Sequence, residues 1–294
     1  WSVQVKGVNV TWDATAGNGT LEDGSGTWQS TVFDNWTADA GATNIFFTSG
    51  DNVTFGGGTS GTAGTVTLGT NIVAGSLTFN PAFAGTYTIA PTTAETLTIN
   101  GGISANDSAL ISANTILGAA QSWTTATGKV LTITGNVSNG ANLLTVNGAG
   151  STIISGIIGN GTGGLTQSGA GTLTVSGVNT YSGNTTVSSG VLRATTSASA
   201  LGAGSLALSG GTLELANDTA LAFNRNTTVS GTTTISSNTL TAVAGVAHTL
   251  GTLSIGANTL NITKGANATG ATAGVIFGNV TQTGAAVFDV GTGA

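Results

Sequence analysis

The stretch that most constrains this chain runs from Gly163 to Ala194, GGLTQSGAGTLTVSGVNTYSGNTTVSSGVLRA. Short segments in which Leu or Val alternates with Thr (Gly171-Thr-Leu-Thr-Val175, Thr185-Thr-Val187, Val191-Leu192) are separated by Gly, Asn and Ser at nearly regular spacing. Alternation gives each segment one apolar and one hydroxylated face, the period-2 signature of a half-buried strand. The glycines between segments allow the positive φ angles of tight corners. Strands this short cannot bury a core alone, so the pattern predicts many similar rungs stacked into a solenoid. Leu173 and Val175 are expected to face its interior, with Thr172 and Thr174 outward.

Comparable segments recur from Thr65 onward, among them Ser76-Leu-Thr-Phe79, Thr96-Leu-Thr-Ile99, Val130-Leu-Thr-Ile133, Thr252-Leu-Ser-Ile255 and Thr259-Leu-Asn-Ile262. Asn-Gly pairs at 18–19, 100–101, 139–140, 147–148 and 160–161 mark turns. At about 20 residues per coil the chain would make about 14 rungs. Pro81 and Pro91 bracket residues 82–90. Because proline cannot donate to a sheet ladder, that segment is expected to be a loop or edge excursion.

The run Gly164-Leu-Thr-Gln-Ser-Gly-Ala-Gly-Thr-Leu-Thr-Val-Ser-Gly-Val-Asn-Thr-Tyr-Ser-Gly183, followed by Thr185-Thr-Val187 and Gly190-Val-Leu192, resembles the autotransporter-associated β-strand repeat. The likeness continues through Ala200-Leu-Gly-Ala-Gly-Ser-Leu-Ala-Leu-Ser-Gly-Gly-Thr-Leu-Glu-Leu215, so the recognisable repeat occupies 163–216. The resemblance implies a bacterial passenger protein, secreted to the extracellular space or the cell surface, built as a right-handed parallel β-helix. It implies no single activity. Gln167 departs from the pattern, since such repeats often carry Lys there. A complete autotransporter would also end in a membrane β-barrel, which this sequence lacks. The expected fold is therefore all-β: a right-handed parallel β-helix (β-solenoid) over 61–294, with an aromatic-rich N-terminal cap over 1–60.

The cap is read from the aromatic distribution. Trp1, Trp12, Trp28 and Trp36 fall early, with Phe33, Phe46, Phe47 and Phe55 close by, and only Trp123 lies beyond. A repeat array needs atypical end units to cover its last rung. The same region alternates apolar and polar residues at Trp1, Val3, Val5, Val8, Val10 and Trp12. A strand there could pair with the open edge of another molecule, which makes these six residues the candidate self-assembly segment of a homopolymer.

Composition limits the function classes. The chain has 48 Gly in 294 residues, 5% charged and 39% hydrophobic residues. That much apolar content argues against disorder. A formal net charge of −6 with five Lys plus Arg excludes a nucleic-acid partner, since phosphate binding needs clustered cations. The absence of Cys removes disulfides and thiolate chemistry. No apolar run approaches the roughly 18 residues of a transmembrane helix. The absence of Met, with Trp1 first, reads as a processed or partial chain.

Catalytic signals are sparse. His248 is the single histidine and has no acid or nucleophile nearby in sequence, so it is expected to be structural. The eleven acids are scattered, without the one-coil spacing that would gather a sugar-cleaving cluster. Gly159-Asn-Gly-Thr-Gly-Gly164 fits G-x-G-x-x-G but runs into a turn and a strand, not a helix. Glu22-Asp-Gly-Ser-Gly26 lacks a full calcium loop. No catalytic, cofactor or metal residue is assigned, and the chain is not expected to be an enzyme. The leading expectation is an extracellular structural or surface protein, the subunit of a self-assembling filament or matrix. An adhesive passenger that binds surface glycans comes second, and a polysaccharide-degrading β-helix enzyme third.

Overall fold

The computed structural model describes residues 7–30, 35–270 and 272–291, and every regular element among them is a β-strand. The strands form a 14-stranded sheet, a 12-stranded sheet and a 5-stranded sheet, with two small pairs. Successive coils place each strand beside its counterpart one rung away, and all long ladders are parallel, so the chain is a β-solenoid. The expected all-β solenoid is what the chain forms.

The interior follows from alternation. Ile111, Ile133, Ile154, Val175, Ala194 and Leu215 are in register from rung to rung, and each is fully buried. Stacking like residues about 4.8 Å apart fills the core while every rung pairs its backbone with the next. Leu173 and Val175 lie inside, and Thr172 and Thr174 are only half-buried, as the alternation predicts.

Three features differ from the sequence reading. The ladders hold fewer rungs than about 14, because coils vary in length: 20 residues from Leu165 to Thr185 but 27 from Leu253 to Val280. The segment between the prolines is no excursion. Gly85–Pro91 is a strand inside the 12-stranded sheet, with Tyr87 and Ile89 buried. Pro91 is its last residue, opposite Leu68, and the next amide, Thr92 N–H, reaches Leu68 O at 3.2 Å, so the missing proline donor is not needed. Finally, the parallel ladders begin inside residues 1–60: Asn9–Trp12 pairs with Asn52–Phe55, and Gly26–Trp28 with Ala63–Leu68.

Of the early aromatics, Trp12, Trp28, Trp36, Phe47 and Phe55 form one buried cluster at this end, while Phe46 is exposed and Trp1 and Phe33 lie outside the described residues. Trp12 meets Trp36 edge-on at 5.1 Å, Trp28 meets Phe47 at 5.1 Å, and Phe55 stacks on Phe79 at 5.4 Å. Trp36–Thr37 pairs antiparallel to Asn9–Trp12, and Asn44–Ile45 antiparallel to Trp36–Thr37, adding strands outside the first rung.

Candidate functional surface

Alternation that buries Leu and Val must send the residues between them outward. On the 14-stranded sheet the strand registers align these into unbroken columns. One column runs Thr11, Thr54, Thr78, Ser104, Thr124, Asn147. Its neighbour runs Ser122, Thr145, Thr166, Thr186, Ala207, Thr228, Ser254, Thr281. Two residues beyond that column, Ser168, Ser188 and Ser209 donate their hydroxyls to carbonyls one rung back, Val146 O (3.4 Å), Gln167 O (3.2 Å) and Val187 O (3.5 Å). Their proton is used internally, and their lone pairs remain outside as acceptors. None of the residues in these columns is charged, and the rungs repeat about every 4.8 Å.

The 12-stranded sheet is different outside. Its outer face carries Arg193 with its Nε 3.5 Å from Glu214 Oε1, and Asn238 Nδ2 donates to the same oxygen at 2.5 Å. Lys129 pairs with Asp107 at 2.6 Å between neighbouring rungs. Burial disfavours the Asp107 carboxylate, but the hydrogen bonds from Lys129 and the Ser108 amide, with the Lys129 charge, together outweigh that and hold it below the usual range.

The best-formed repeat turns out to be a set of clamps. Asn179 Oδ1 accepts Ile158 N–H (2.7 Å) and its Nδ2 donates to Ala200 O (2.6 Å), so one buried amide joins three successive rungs. Tyr181, also fully buried, hydrogen-bonds Thr185 Oγ1 at 2.6 Å, and that hydroxyl donates onward to Leu201 O at 2.9 Å. Burial raises the Tyr181 phenol well above its ordinary range. Gln167 Nε2 donates to Gly169 O (2.8 Å) and Gly171 O (3.1 Å). The Asn-x-Tyr spacing visible in the sequence thus serves the corner between coils.

The residues singled out from sequence separate in space. Trp1, Val3 and Val5 lie outside the described residues. Val8 is exposed, whereas Val10 and Trp12 are buried in the core. Asn9–Trp12 has a hydrogen-bonded strand on each side, so these residues offer no open ladder edge. His248 is fully buried, accepting Leu221 N–H at Nδ1 (3.1 Å) with Nε2 3.3 Å from Asn238 O. Within Glu22–Gly26, Asp23 turns inward, accepting Phe83 N–H (2.7 Å) and the Tyr87 hydroxyl (2.9 Å). Asp13 and Asp51 are likewise buried and accept backbone amides. Among the described residues no three acidic or imidazole groups gather as metal ligands would. No helix there is long and apolar enough to cross a membrane.

The outward columns escaped the sequence reading: of the Leu-Thr-Ile and Leu-Thr-Val triads only Leu144-Thr-Val146 supplies a member, Thr145, while those at 97–99, 131–133 and 173–175 fall on the other two sheets. Coil lengths vary, so which Thr meets which is set by the register and not by counting.

These rungs define the chain as a parallel β-solenoid with one long uncharged face. Within it, residues 165–194 match the family model of the passenger-associated-transport-repeat, in agreement with the autotransporter resemblance. No curated protein and no solved structure matches the chain.

Proposed function

We propose that this chain is the rod of a secreted or surface-displayed bacterial passenger, and that its work is structural: it packs side by side with copies of itself in an extracellular filament or matrix. The observation that supports this is the uncharged hydroxyl and amide face of the 14-stranded sheet. Two such faces meet without charge repulsion, and the threonine hydroxyls of the columns can both donate and accept, while Ser168, Ser188 and Ser209 offer acceptors. Each exposed hydrogen bond is worth little on its own, but a rigid repeat adds many in register. The buried carboxylates, each accepting hydrogen bonds within the fold, fit a structural role for the acids.

The test is sedimentation velocity and electron microscopy of the purified chain against a variant carrying Thr166→Lys, Thr186→Lys and Thr228→Lys. Ordered assemblies are expected for the unmodified chain and single rods for the variant. A chain that stays monomeric at every concentration, or assemblies indifferent to the lysines, would overturn the reading. A second reading, adhesion to glycans, draws on the same uncharged face. It expects single rods that are retained on polysaccharide-coated beads.

A further inference from the structure

The 5-stranded sheet gives part of the solenoid a third wall, and that wall stops at Ile158–Gly159. The next coil carries no strand there. Its Asn179 side chain takes the Ile158 amide and its Thr180 N–H takes Ile158 O at 2.9 Å, so the sheet edge is closed by a turn. Beside this step opens a hollow of about 190 Å³, with Val137 and Ile157 among its lining and Asn136, Ser138, Asn160 and Thr180 completing it.

Two backbone features shape the hollow. A Cβ on Gly159 would come 2.1 Å from Thr180 Oγ1, so glycine is what lets Thr180 sit at the rim. Asn160 holds φ at 79°, in the left-handed region, where a non-glycine residue is strained by about 1–2 kcal/mol. Asn136 spends its Oδ1 on Ile157 N–H (2.9 Å), which leaves its Nδ2 available. Ile157 is 40% exposed, an aliphatic surface that the fold has not covered.

We infer that this hollow is a binding subsite for one neutral sugar ring, the terminal or side-chain unit of a glycan. The volume lies below the roughly 300–1,000 Å³ of sites for drug-sized ligands, which limits the occupant to a single small ring. The lining contains no acid and no base, so nothing there would repay the desolvation of a charged ligand. Hydroxyls and amides around an aliphatic floor match a pyranose, whose C–H face is apolar and whose hydroxyls both donate and accept. Charged sugars, phosphates and free amino acids lack a counter-charge at this place. The inference rests on the adhesive reading, and it places the specific contact at the step in the third wall instead of on the hydroxyl columns.

The experiment uses the full chain with glucose, galactose, mannose and N-acetylglucosamine as probes and glucuronate as the charged comparison, read by ligand-observed NMR titration. Asn160→Gly removes the amide while relieving the left-handed strain, and Thr180→Val removes one hydroxyl at nearly constant shape. Saturable millimolar binding of at least one neutral sugar is expected, weakened at least tenfold in the Asn160→Gly, Thr180→Val double variant, with no loss of thermal stability from Asn160→Gly. Glucuronate binding as well as the neutral sugars, equal binding by the double variant, or no saturable binding of any neutral probe would each overturn the subsite. Rods retained on polysaccharide beads despite such a result would leave the adhesive reading standing and move its contact elsewhere.

Discussion

Gly202 lies against the ring of Tyr181: its φ is 70°, and a Cβ built on it would approach Tyr181 Cε2 to 2.4 Å. Two requirements, a left-handed backbone and room for a buried phenol, fall on one position. Gly202→Ala should therefore lose about 1–2 kcal/mol to the backbone and a further 1–3 kcal/mol to the forced overlap. Gly17 provides the control, since its φ is 76° but nothing lies within 4 Å of its added Cβ. Gly17→Ala should show the backbone part alone. Urea unfolding of the two variants measures the difference, and equal losses would mean that the ring contact contributes nothing.

How much of this was legible in the sequence depends on how local the cause is. The inward facing of Leu173 and Val175 could be read because period-2 alternation is written within four residues. Pro91 was misread because a ladder's need for a given N–H depends on register with Leu68, some twenty residues away. The closure of the sheet edge by Asn179 was hidden for the same reason, although the Asn itself was visible as part of the repeat. Trp12 looked available for another molecule only because its partners, Trp36 and Phe55, come later in the chain.

The facing of the best-formed strand gives a second test. Val175→Asp would bury a carboxylate in a column between Ile154 and Ala194, with no cation beside it. A loss of several kcal/mol is expected, or failure to fold. Thr174→Asp places the same group outside, next to Ile153 and Arg193 in register, where the change should stay within about 1 kcal/mol. Thermal denaturation of the pair measures this, and equal destabilisation would contradict the observed facing.

His248 makes stability depend on pH. Burial depresses its basicity below the ordinary value of 6.5, while its contact with Asn238 O works against that. Because Leu221 N–H points at Nδ1, the neutral ring carries its proton on Nε2, and a second proton would set two donors against each other. The unfolded chain then binds more protons than the folded one below pH 6.5, so acid favours unfolding. Stability should be level above about pH 7 and fall as the pH drops through the ordinary imidazole range. His248→Phe should be less stable at neutral pH but lose this slope. A slope unchanged in the variant would assign it to other groups.

Gln167 tests why one residue of the repeat departs from the common pattern. Its Nε2 donates to Gly169 O and Gly171 O, closing the corner after its strand, while its Oε1 is buried without a donor. The side chain is thus useful as a donor and unsatisfied as an acceptor. Lysine, common at this place in similar repeats, supplies donors alone and could serve both carbonyls without orphaning an acceptor, at the desolvation penalty of its charge. Gln167→Leu should leave Gly169 O unpaired, while Gly171 O keeps the Val191 N–H at 3.0 Å, and should lose about 1–3 kcal/mol if water cannot reach the orphaned carbonyl. Gln167→Glu should be worse, since a carboxylate turns lone pairs toward those same oxygens. Denaturant midpoints should rank Lys close to or above Gln, then Leu, then Glu. Glu falling above Leu would show that the contact to the glycine carbonyls does not hold this corner together.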